Sequence, residues 1–231
     1  MPLTVYSISG APRGWRVLLA LEIKEIEYDL HYLEGSEGEH RAPEFRQLNP
    51  HGKVPVVVAD GVARRESLAL LGWLDRRYPD RPLFGSRATE TAQIWETTTL
   101  LSDYLLEATN DVVSPVFNGD GTPPAKGSAE AKELNAAVQL LRVEHRLLEE
   151  ILGDRRFLCG DEPTAADAVA YPEIARIMRA LVTRPDVMAT IGFAGFDERF
   201  PVLAAWRGRM EALPGFARTC PPHWRSSTAV Q

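Results

Sequence analysis

Two pairs of residues in the first third of the chain could together bind an extended, charged peptide. Val54-Pro55 stands directly before the apolar run at residues 56–59, and Glu66-Ser67 opens an apolar helical pattern. A proline cannot donate to a β ladder, so it suits the start of a strand, and its peptide bond can be cis because the trans preference is small. A cis bond would leave the backbone of Val54 free to pair with a peptide. A helix beginning at Ser67 would favour a carboxylate at its N-terminus.

A β-hairpin and a helix must hold these two pairs in place. Asp60-Gly61 separates the run at residues 56–59 from a second short run at residues 62–64. Asp-Gly favours a type I′ hairpin turn, in which both central residues have positive φ. The apolar positions that follow predict a helix over Ser67–Tyr78; they are Leu68, Leu70, Leu71 and Leu74.

The residues before the hairpin predict a strand–helix–strand unit and a short helix. Leu3–Ile8 is rich in β-formers, Trp15–Glu25 has a helical pattern, and Ile26–Leu33 alternates apolar with polar residues. Such a unit implies that its two strands are parallel. Pro43 suits the first turn of a short helix at residues 42–48. With the hairpin and its helix, the predicted order is βαβαββα.

The rest of the chain predicts helices after a break rich in proline and glycine at residues 79–85. The first is a long helix from Thr89 to about Asn118, expected to bend or split near Asn110 or Pro115. Further helices are expected at Ser128–Leu152, after Thr164 with a kink at Pro172, and finally at Pro201–Leu213, with residues 186–200 ambiguous. In the tail Phe216–Gln231, packing against the body is suggested by Pro221, Pro222, His223 and Trp224.

The segment from Gly160 to Asp167 reads GDEPTAAD, in which Thr164 can cap the next helix and Asp167 can reach back to the cap. This segment resembles the capping motif of the glutathione S-transferase family. The Val-Pro and Glu-Ser pairs resemble the glutathione-binding elements of the same family, at matching spacing. The resemblance implies a two-domain α+β/α fold, with an N-terminal thioredoxin-like βαβαββα domain at residues 1–79, a linker at 80–88 and an all-α helical bundle domain at 89–231.

The resemblance also implies a binding site for glutathione, used as a cosubstrate without a metal. Val54, with Pro55 after it, would pair through its backbone with the cysteinyl part. Glu66 would meet the γ-glutamyl ammonium, and Ser67 would meet the γ-glutamyl carboxylate. Lys53 would meet the glycyl carboxylate.

The group that stabilises the glutathione thiolate is expected at the end of the first strand or in the turn after it. Ala11 holds the position where cysteine-type members carry their nucleophile, so thiol-exchange chemistry is disfavoured. Ser9, on the turn, is the first choice for a hydroxyl donor, and Tyr6 is the second. Arg13 could add a positive charge beside the sulfur. The pocket for the electrophile is expected against the first long helix, with Trp15, Asp103, Tyr104, Glu107 and Phe117 as candidates.

Composition restricts the partners and the location. The chain has 231 residues, a net charge of −6 and 25% charged residues, with no basic tract that would indicate nucleic-acid binding. It has no apolar run long enough to span a membrane and no signal-peptide pattern. Cys159 and Cys220 fit no metal or redox motif, which favours free thiols in a reducing cytoplasm. The family resemblance adds an expected homodimer.

The leading interpretation is a cytoplasmic glutathione transferase that conjugates glutathione to a small hydrophobic electrophile, a reaction typical of detoxification. Two alternatives stay open. One is a catalytically weak binding or regulatory protein with the same fold, which Ala11 motivates. The other is a glutathione-dependent isomerase or lyase, which returns glutathione unconsumed.

Overall fold

The computed structural model describes residues 3–225, which form two compact units. One unit comprises the described residues of Met1–Thr91 together with those of Glu211–Gln231, and the other is Ala92–Met210. The unit that contains the N-terminal strands therefore also contains the C-terminal segment. The domain limits and the linker at residues 80–88 stay a prediction. Residues 226–231 of the expected tail lie outside the described residues.

The first unit is built on a mixed sheet in the order β2-β1-β3-β4. β1 is parallel to β2 and antiparallel to β3, and β3 is antiparallel to β4. The strands are β1 Leu3–Ser7, β2 Tyr28–Tyr32, β3 Val56–Ala59 and β4 Val62–Arg64. Asp60 and Gly61, between β3 and β4, both have positive φ, as the Asp-Gly turn requires.

The predicted βαβαββα order is confirmed, with helices α1 Pro12–Ile23, α2 Pro43–Leu48 and α3 Ser67–Arg77. A 3₁₀ turn at Glu39–Arg41 precedes α2. α1 begins three residues before the predicted Trp15, because proline is well suited to the first helical position and Pro12 occupies it. α1 and α3 pack against each other.

The two faces of β1 have different neighbours. Leu3, Val5 and Ser7 are buried on one face, and α1 approaches Ser7 so closely that a Cβ atom on Gly14 would lie 2.0 Å from the Ser7 hydroxyl oxygen. A side chain at residue 14 would therefore force the Ser7 hydroxyl or α1 to move, so glycine suits this close approach. Tyr6 lies on the other face, the face on which α2 packs.

The second unit is helical. Its first long helical segment is interrupted by a π-helical turn that the sequence did not predict. α4 Ala88–Leu100, which begins in the first unit, is followed by a π-helical turn at Leu101–Leu105 and then by α5 Leu106–Asn118. The split predicted near Asn110 or Pro115 is therefore wrong, because α5 continues as a helix through both residues. A π turn inserts an extra residue into the helix, and no proline or glycine marks it here.

The later helices of this unit follow the capping signals in the sequence. They are α6 Ala129–Leu152, α7 Ala165–Thr183, α8 Pro185–Thr190, α9 Phe196–Arg199 and α10 Pro201–Glu211. The Ser128 hydroxyl caps α6 by accepting a hydrogen bond from the Ala131 N–H, and Gly153, with φ 49°, ends it. Thr164 and Asp167 form the predicted capping box of α7, and α7 continues through Pro172.

The helix predicted at Pro201–Leu213 is not the final one. Two short helices follow α10, namely α11 Phe216–Thr219 and α12 Pro222–Arg225. Four-residue helices have too little periodicity to be recognised in a sequence. The predicted packing of the tail is confirmed, because the Trp224 ring meets the Trp15 ring edge to face with centroids 5.2 Å apart.

Candidate functional site

The topology of the sheet brings the predicted site segments to one edge. Tyr6 pairs with Val56 near the end of β1 and the start of β3, and Val57 pairs with Arg64 near the start of β3 and the end of β4. The turn after β1, the segment before β3 and the segment after β4 therefore meet at the same edge of the sheet. These segments carry Ser9, Val54 and Glu66 respectively.

Ser9 lies on the turn between β1 and α1 and is half-buried. Its hydroxyl oxygen is 2.8 Å from Nδ1 of His223, a residue of α12. Gly10, the next residue, has φ 80°, and a Cβ atom there would lie 3.4 Å from Cε1 of His223. A glycine is needed for this backbone conformation, and α12 covers the turn at this point.

Tyr6 is engaged by its neighbours on the sheet. Its ring stacks on the His31 ring with centroids 5.3 Å apart and an interplanar angle of 24°, and it meets the Phe45 ring at 6.0 Å. Offset stacking and edge-to-face contact are the favoured geometries of aromatic pairs. Tyr6 is therefore packed between β2 and α2, whereas Ser9 is on the turn beyond the strand.

Ala11 and Arg13 lie at the start of α1. Ala11 is the N-cap residue, and it provides no side-chain cap. Arg13 follows Pro12 in the first turn of the helix, and its side chain is exposed. The N-terminus of α1 thus carries neither a hydroxyl nor a thiol at the position of Ala11.

The segment before β3 has the backbone that the sequence suggested. The Val54-Pro55 peptide bond is cis. Within residues 3–225, Val54 forms no hydrogen bond. The Lys53 side chain is exposed, and its backbone carbonyl accepts a 2.6 Å hydrogen bond from the amide of Asn49. Asn49 is 3% exposed, so it braces this segment from inside the fold.

The start of α3 presents Glu66 and Ser67. Glu66 is the N-cap residue, with φ 62°, and its side chain is exposed, whereas Ser67 is buried as the first helical residue. Positive φ is uncommon for a residue other than glycine, and such conformations are concentrated at ligand-binding sites. The first N–H groups of α3 have no partner within the helix, so this end is suited to bind an anion.

A pocket of about 450 Å³ opens beside Glu66. It contains Glu66 but none of the other predicted site residues, and the guanidinium of Arg64 lies 4.4 Å from the centroid of the Trp73 ring on its wall. The lining residues are His51, Ala63, Arg64, Arg65, Glu66, Ala69, Leu70 and Trp73. No local sequence pattern predicts this pocket, because β4 and α3 form it together.

The candidates for the electrophile pocket have different environments. Trp15 is 3% exposed, and its indole N–H donates a 2.9 Å hydrogen bond to the Thr219 hydroxyl within the first unit. In the second unit, the Tyr104 and Phe117 side chains are exposed, by 63% and 36%. Trp15 is thus a packing residue that holds α11, and the two exposed rings remain candidates.

The GDEPTAAD motif has a structural role in the second unit. The buried carboxylate of Asp167 accepts hydrogen bonds from the N–H groups of Leu158 and Thr164, from the Thr164 hydroxyl and from the Trp206 indole N–H, at 2.8–2.9 Å. Burial raises the pKa of Asp167, and these hydrogen bonds oppose that shift. The motif fixes the start of α7 and joins it to α10.

Among residues 3–225, no group of three or more histidine, cysteine, aspartate or glutamate side chains could hold a metal ion. No helix in the same part of the chain is long and apolar enough to cross a membrane. Within residues 3–225, neither Cys159 nor Cys220 takes part in a disulfide, and both are half-buried.

The first unit has a thioredoxin-like sheet and the second unit is helical, and together these features define the class of protein. Comparisons with known proteins identify the family. The glutathione S-transferase N-terminal domain matches residues 11–77, and the glutathione S-transferase C-terminal domain matches residues 146–209. The chain therefore belongs to the glutathione S-transferase family.

Individual relatives agree with this assignment. The chain is 30% identical to glutathione S-transferase theta-1 of Homo sapiens over 83% of its own length and 75% of that protein. It is 26% identical to a zeta-class glutathione S-transferase of Euphorbia esula over 98% and 93% of the two lengths. The crystal structure of a glutathione S-transferase from the Antarctic clam Laternula elliptica matches with a TM-score of 0.81 and 28% identity, over 97% and 94% of the two chains.

Proposed function

We propose that this chain is a glutathione transferase in which the Ser9 hydroxyl stabilises the thiolate of bound glutathione. The observation that carries the proposal is the position of Ser9, on the turn at the sheet edge where Val54 and the N-terminus of α3 also lie. A free thiol has a pKa of about 8.5 and is mostly protonated at neutral pH. One hydrogen bond to a charged group contributes about 1.5–3 kcal/mol, enough to lower that pKa by roughly one to two units.

Glutathione would lie along this edge in an extended conformation. The free backbone of Val54 would pair with the cysteinyl residue, and the exposed Lys53 would meet the glycyl carboxylate. At the γ-glutamyl end, Glu66 would bind the ammonium, while Ser67 and the first N–H groups of α3 would bind the carboxylate. Arg13, exposed in the first turn of α1, would add positive charge near the sulfur.

The reaction is a nucleophilic attack by the thiolate on a small hydrophobic electrophile. The sulfur lone pair forms the new C–S bond. In a substitution, the leaving group departs with the electrons of the bond that breaks; in an addition, the electrophile takes up a proton. Ser9 would bind the thiolate before this step and release it as the bond forms.

Two properties expected from the family belong to the same proposal. The enzyme would act in the cytoplasm, without a nucleic-acid or membrane partner, and it would be a homodimer. Light scattering of the purified chain measures its mass in solution directly. A mass of about 25.7 kDa at all concentrations would exclude the dimer.

Turnover of Ser9→Ala and Tyr6→Phe tests the choice of hydroxyl. Because Tyr6 is packed against His31 and Phe45, we expect Tyr6→Phe to keep most of the activity. Ser9→Ala should lower kcat/KM by about tenfold to a hundredfold, the loss of about 1.5–3 kcal/mol. Equal activity of both variants and the wild type would refute the catalytic assignment.

Ala11 favours a second candidate function, that of a binding or regulatory protein. The N-cap position of α1 has no hydroxyl or thiol, so a protein that relied on this position could bind glutathione without activating it. Binding with an unshifted thiol pKa would support this candidate. A glutathione-dependent isomerase is distinguished by an assay that follows both glutathione and product, because it returns glutathione unconsumed.

A further inference from the structure

A hydrogen bond joins the proposed catalytic hydroxyl to the far end of the chain. The Ser9 hydroxyl oxygen and Nδ1 of His223 are 2.8 Å apart, and the two residues are separated by 214 positions in the sequence. His223 is exposed, and its ring also meets the Trp224 ring edge to face. His223 contacts Ser9 because of the way the C-terminal segment folds, and no local sequence motif predicts this contact.

Several contacts hold the C-terminal segment in place within the first unit. The Trp15 indole N–H donates to the Thr219 hydroxyl at 2.9 Å, and the Arg218 guanidinium donates to the Glu22 carboxylate at 2.7 Å. Glu22 is only 5% exposed, and the Trp224 ring packs on the Trp15 ring. α1 thus anchors α11 and α12 on both sides of the peptide that leads to His223.

The chemistry of a hydroxyl gives this contact a consequence. A serine hydroxyl has one hydrogen to donate and two lone pairs that can accept. If Nδ1 of His223 carries no proton, the Ser9 hydrogen is directed to the imidazole and is not available to a thiolate. If Nδ1 carries a proton, it donates to Ser9, and the serine hydrogen is free to bind the sulfur.

We propose that His223 is a positioning residue that donates from Nδ1 to Ser9 and thereby directs the Ser9 hydrogen to the glutathione sulfur. The thiolate favours this arrangement, because it can only accept a hydrogen bond from Ser9. Hydrogen bonds in a chain polarise one another, so the donation from His223 also strengthens the bond from Ser9 to the sulfur. The proposal rests on the proposed role of Ser9.

Two substitutions of similar size separate this role from simple packing. In His223→Asn, the side-chain amide can place an N–H near the position of Nδ1, whereas His223→Leu places no donor there. The measurement is the pKa of bound glutathione, followed by the ultraviolet absorbance of the thiolate at saturating glutathione. Thermal denaturation of both variants reports whether the C-terminal segment stays folded.

We expect the thiol pKa to rise by about half a unit to one unit in His223→Leu, which corresponds to the loss of a modest hydrogen bond. His223→Asn should stay close to the wild type. At neutral pH, His223→Leu should lower kcat by about 1.5-fold to eightfold with little change in KM for glutathione, because the thiolate fraction falls and the binding contacts remain.

A double-mutant cycle with Ser9→Ala decides whether His223 acts through Ser9. If it does, His223→Leu has no further effect on the thiol pKa once Ser9 is alanine. An unchanged thiol pKa in His223→Leu, or an equal change in the presence and absence of the Ser9 hydroxyl, would overturn the inference while leaving the proposed function intact. Failure of Ser9→Ala itself to raise the thiol pKa would overturn both.

Discussion

The Trp206 indole N–H donates a 2.9 Å hydrogen bond to the carboxylate of Asp167, and both residues are fully buried. Asp167→Ala would leave this donor and those of Leu158 and Thr164 without a partner inside the helical unit. Each unsatisfied buried donor costs about 1–3 kcal/mol, so the free energy of unfolding should fall by at least about 3 kcal/mol. Urea denaturation measures this change. Asp161→Ala, at an exposed position of the same motif, is the matched control, and an equal loss in both variants would contradict the role given to Asp167.

The burial of His145 should make the folded protein less stable in acid. Its ring is buried among Phe193, Phe196 and Phe200, and burial lowers the pKa of His145 to about 3. In the unfolded chain the pKa of His145 is the ordinary value of about 6.5. Between about pH 3 and about pH 6.5, His145 is therefore protonated in the unfolded state but neutral in the folded state. The contribution of His145 to the free energy of unfolding is therefore complete above about pH 6.5. It is lost as the pH falls, and the loss is about 2 kcal/mol at about pH 5.

His145→Leu tests this prediction by comparison. Other acidic groups titrate in both proteins, so the difference between the wild type and the variant isolates the histidine. Denaturation at about pH 8 and at about pH 5 should show a drop in the free energy of unfolding that is about 2 kcal/mol smaller in the variant. The same drop in both proteins would show that His145 is not the cause.

Substitution of Glu66 should change the affinity for glutathione and leave the chemical step unchanged. Glu66→Gln removes the negative charge proposed to bind the γ-glutamyl ammonium, so the affinity for glutathione should fall by about tenfold, the loss of roughly 1.4 kcal/mol at an exposed site. Isothermal titration calorimetry measures the affinity, and the thiol pKa at saturation should not change. Glu44→Gln, at an exposed position of α2, is the control and should bind as the wild type does. Unaltered binding by Glu66→Gln would remove Glu66 from the site.

Replacing Ala11 with cysteine should give the protein a reactive thiol. It is the N-cap residue of the 12-residue helix α1, where the helix dipole favours an anion. Ala11→Cys should have a thiol pKa well below the ordinary value of about 8.5 and should form a mixed disulfide with added glutathione disulfide. Mass spectrometry after alkylation over a range of pH values measures this. Cys159 is an internal control, because burial raises the pKa of its thiol. Alkylation of the introduced thiol with the pH profile of a free cysteine would contradict the prediction.

Local signals in the sequence predicted most of the first unit. The Asp60-Gly61 turn and the start of α3 at Ser67 were found where expected, and the alternation predicted over Ile26–Leu33 was found as the shorter strand Tyr28–Tyr32. Each of these features depends on residues that are adjacent in the chain. The capping box of Thr164 and Asp167 was predicted for the same reason. A local pattern is readable because the residues that produce it are few and close together.

The features that were missed depend on residues far apart in the sequence or lack a local marker. The π turn at Leu101–Leu105 has no proline or glycine to mark it, and the pocket beside Glu66 requires β4 and α3 to be packed together. His223 could be predicted to pack but not to reach Ser9, because that contact depends on the anchoring of the C-terminal segment by Glu22 and Trp15.

The most direct test of the central claim is the pKa of glutathione bound to the wild-type protein and to Ser9→Ala, each titrated by thiolate absorbance. We expect the bound thiol of the wild type to ionise roughly one to two units below the free value of about 8.5, and Ser9→Ala to return it most of the way. Binding that leaves the thiol pKa at its free value in the wild type, or a lowered pKa that persists in Ser9→Ala, would contradict the claim that Ser9 holds the thiolate.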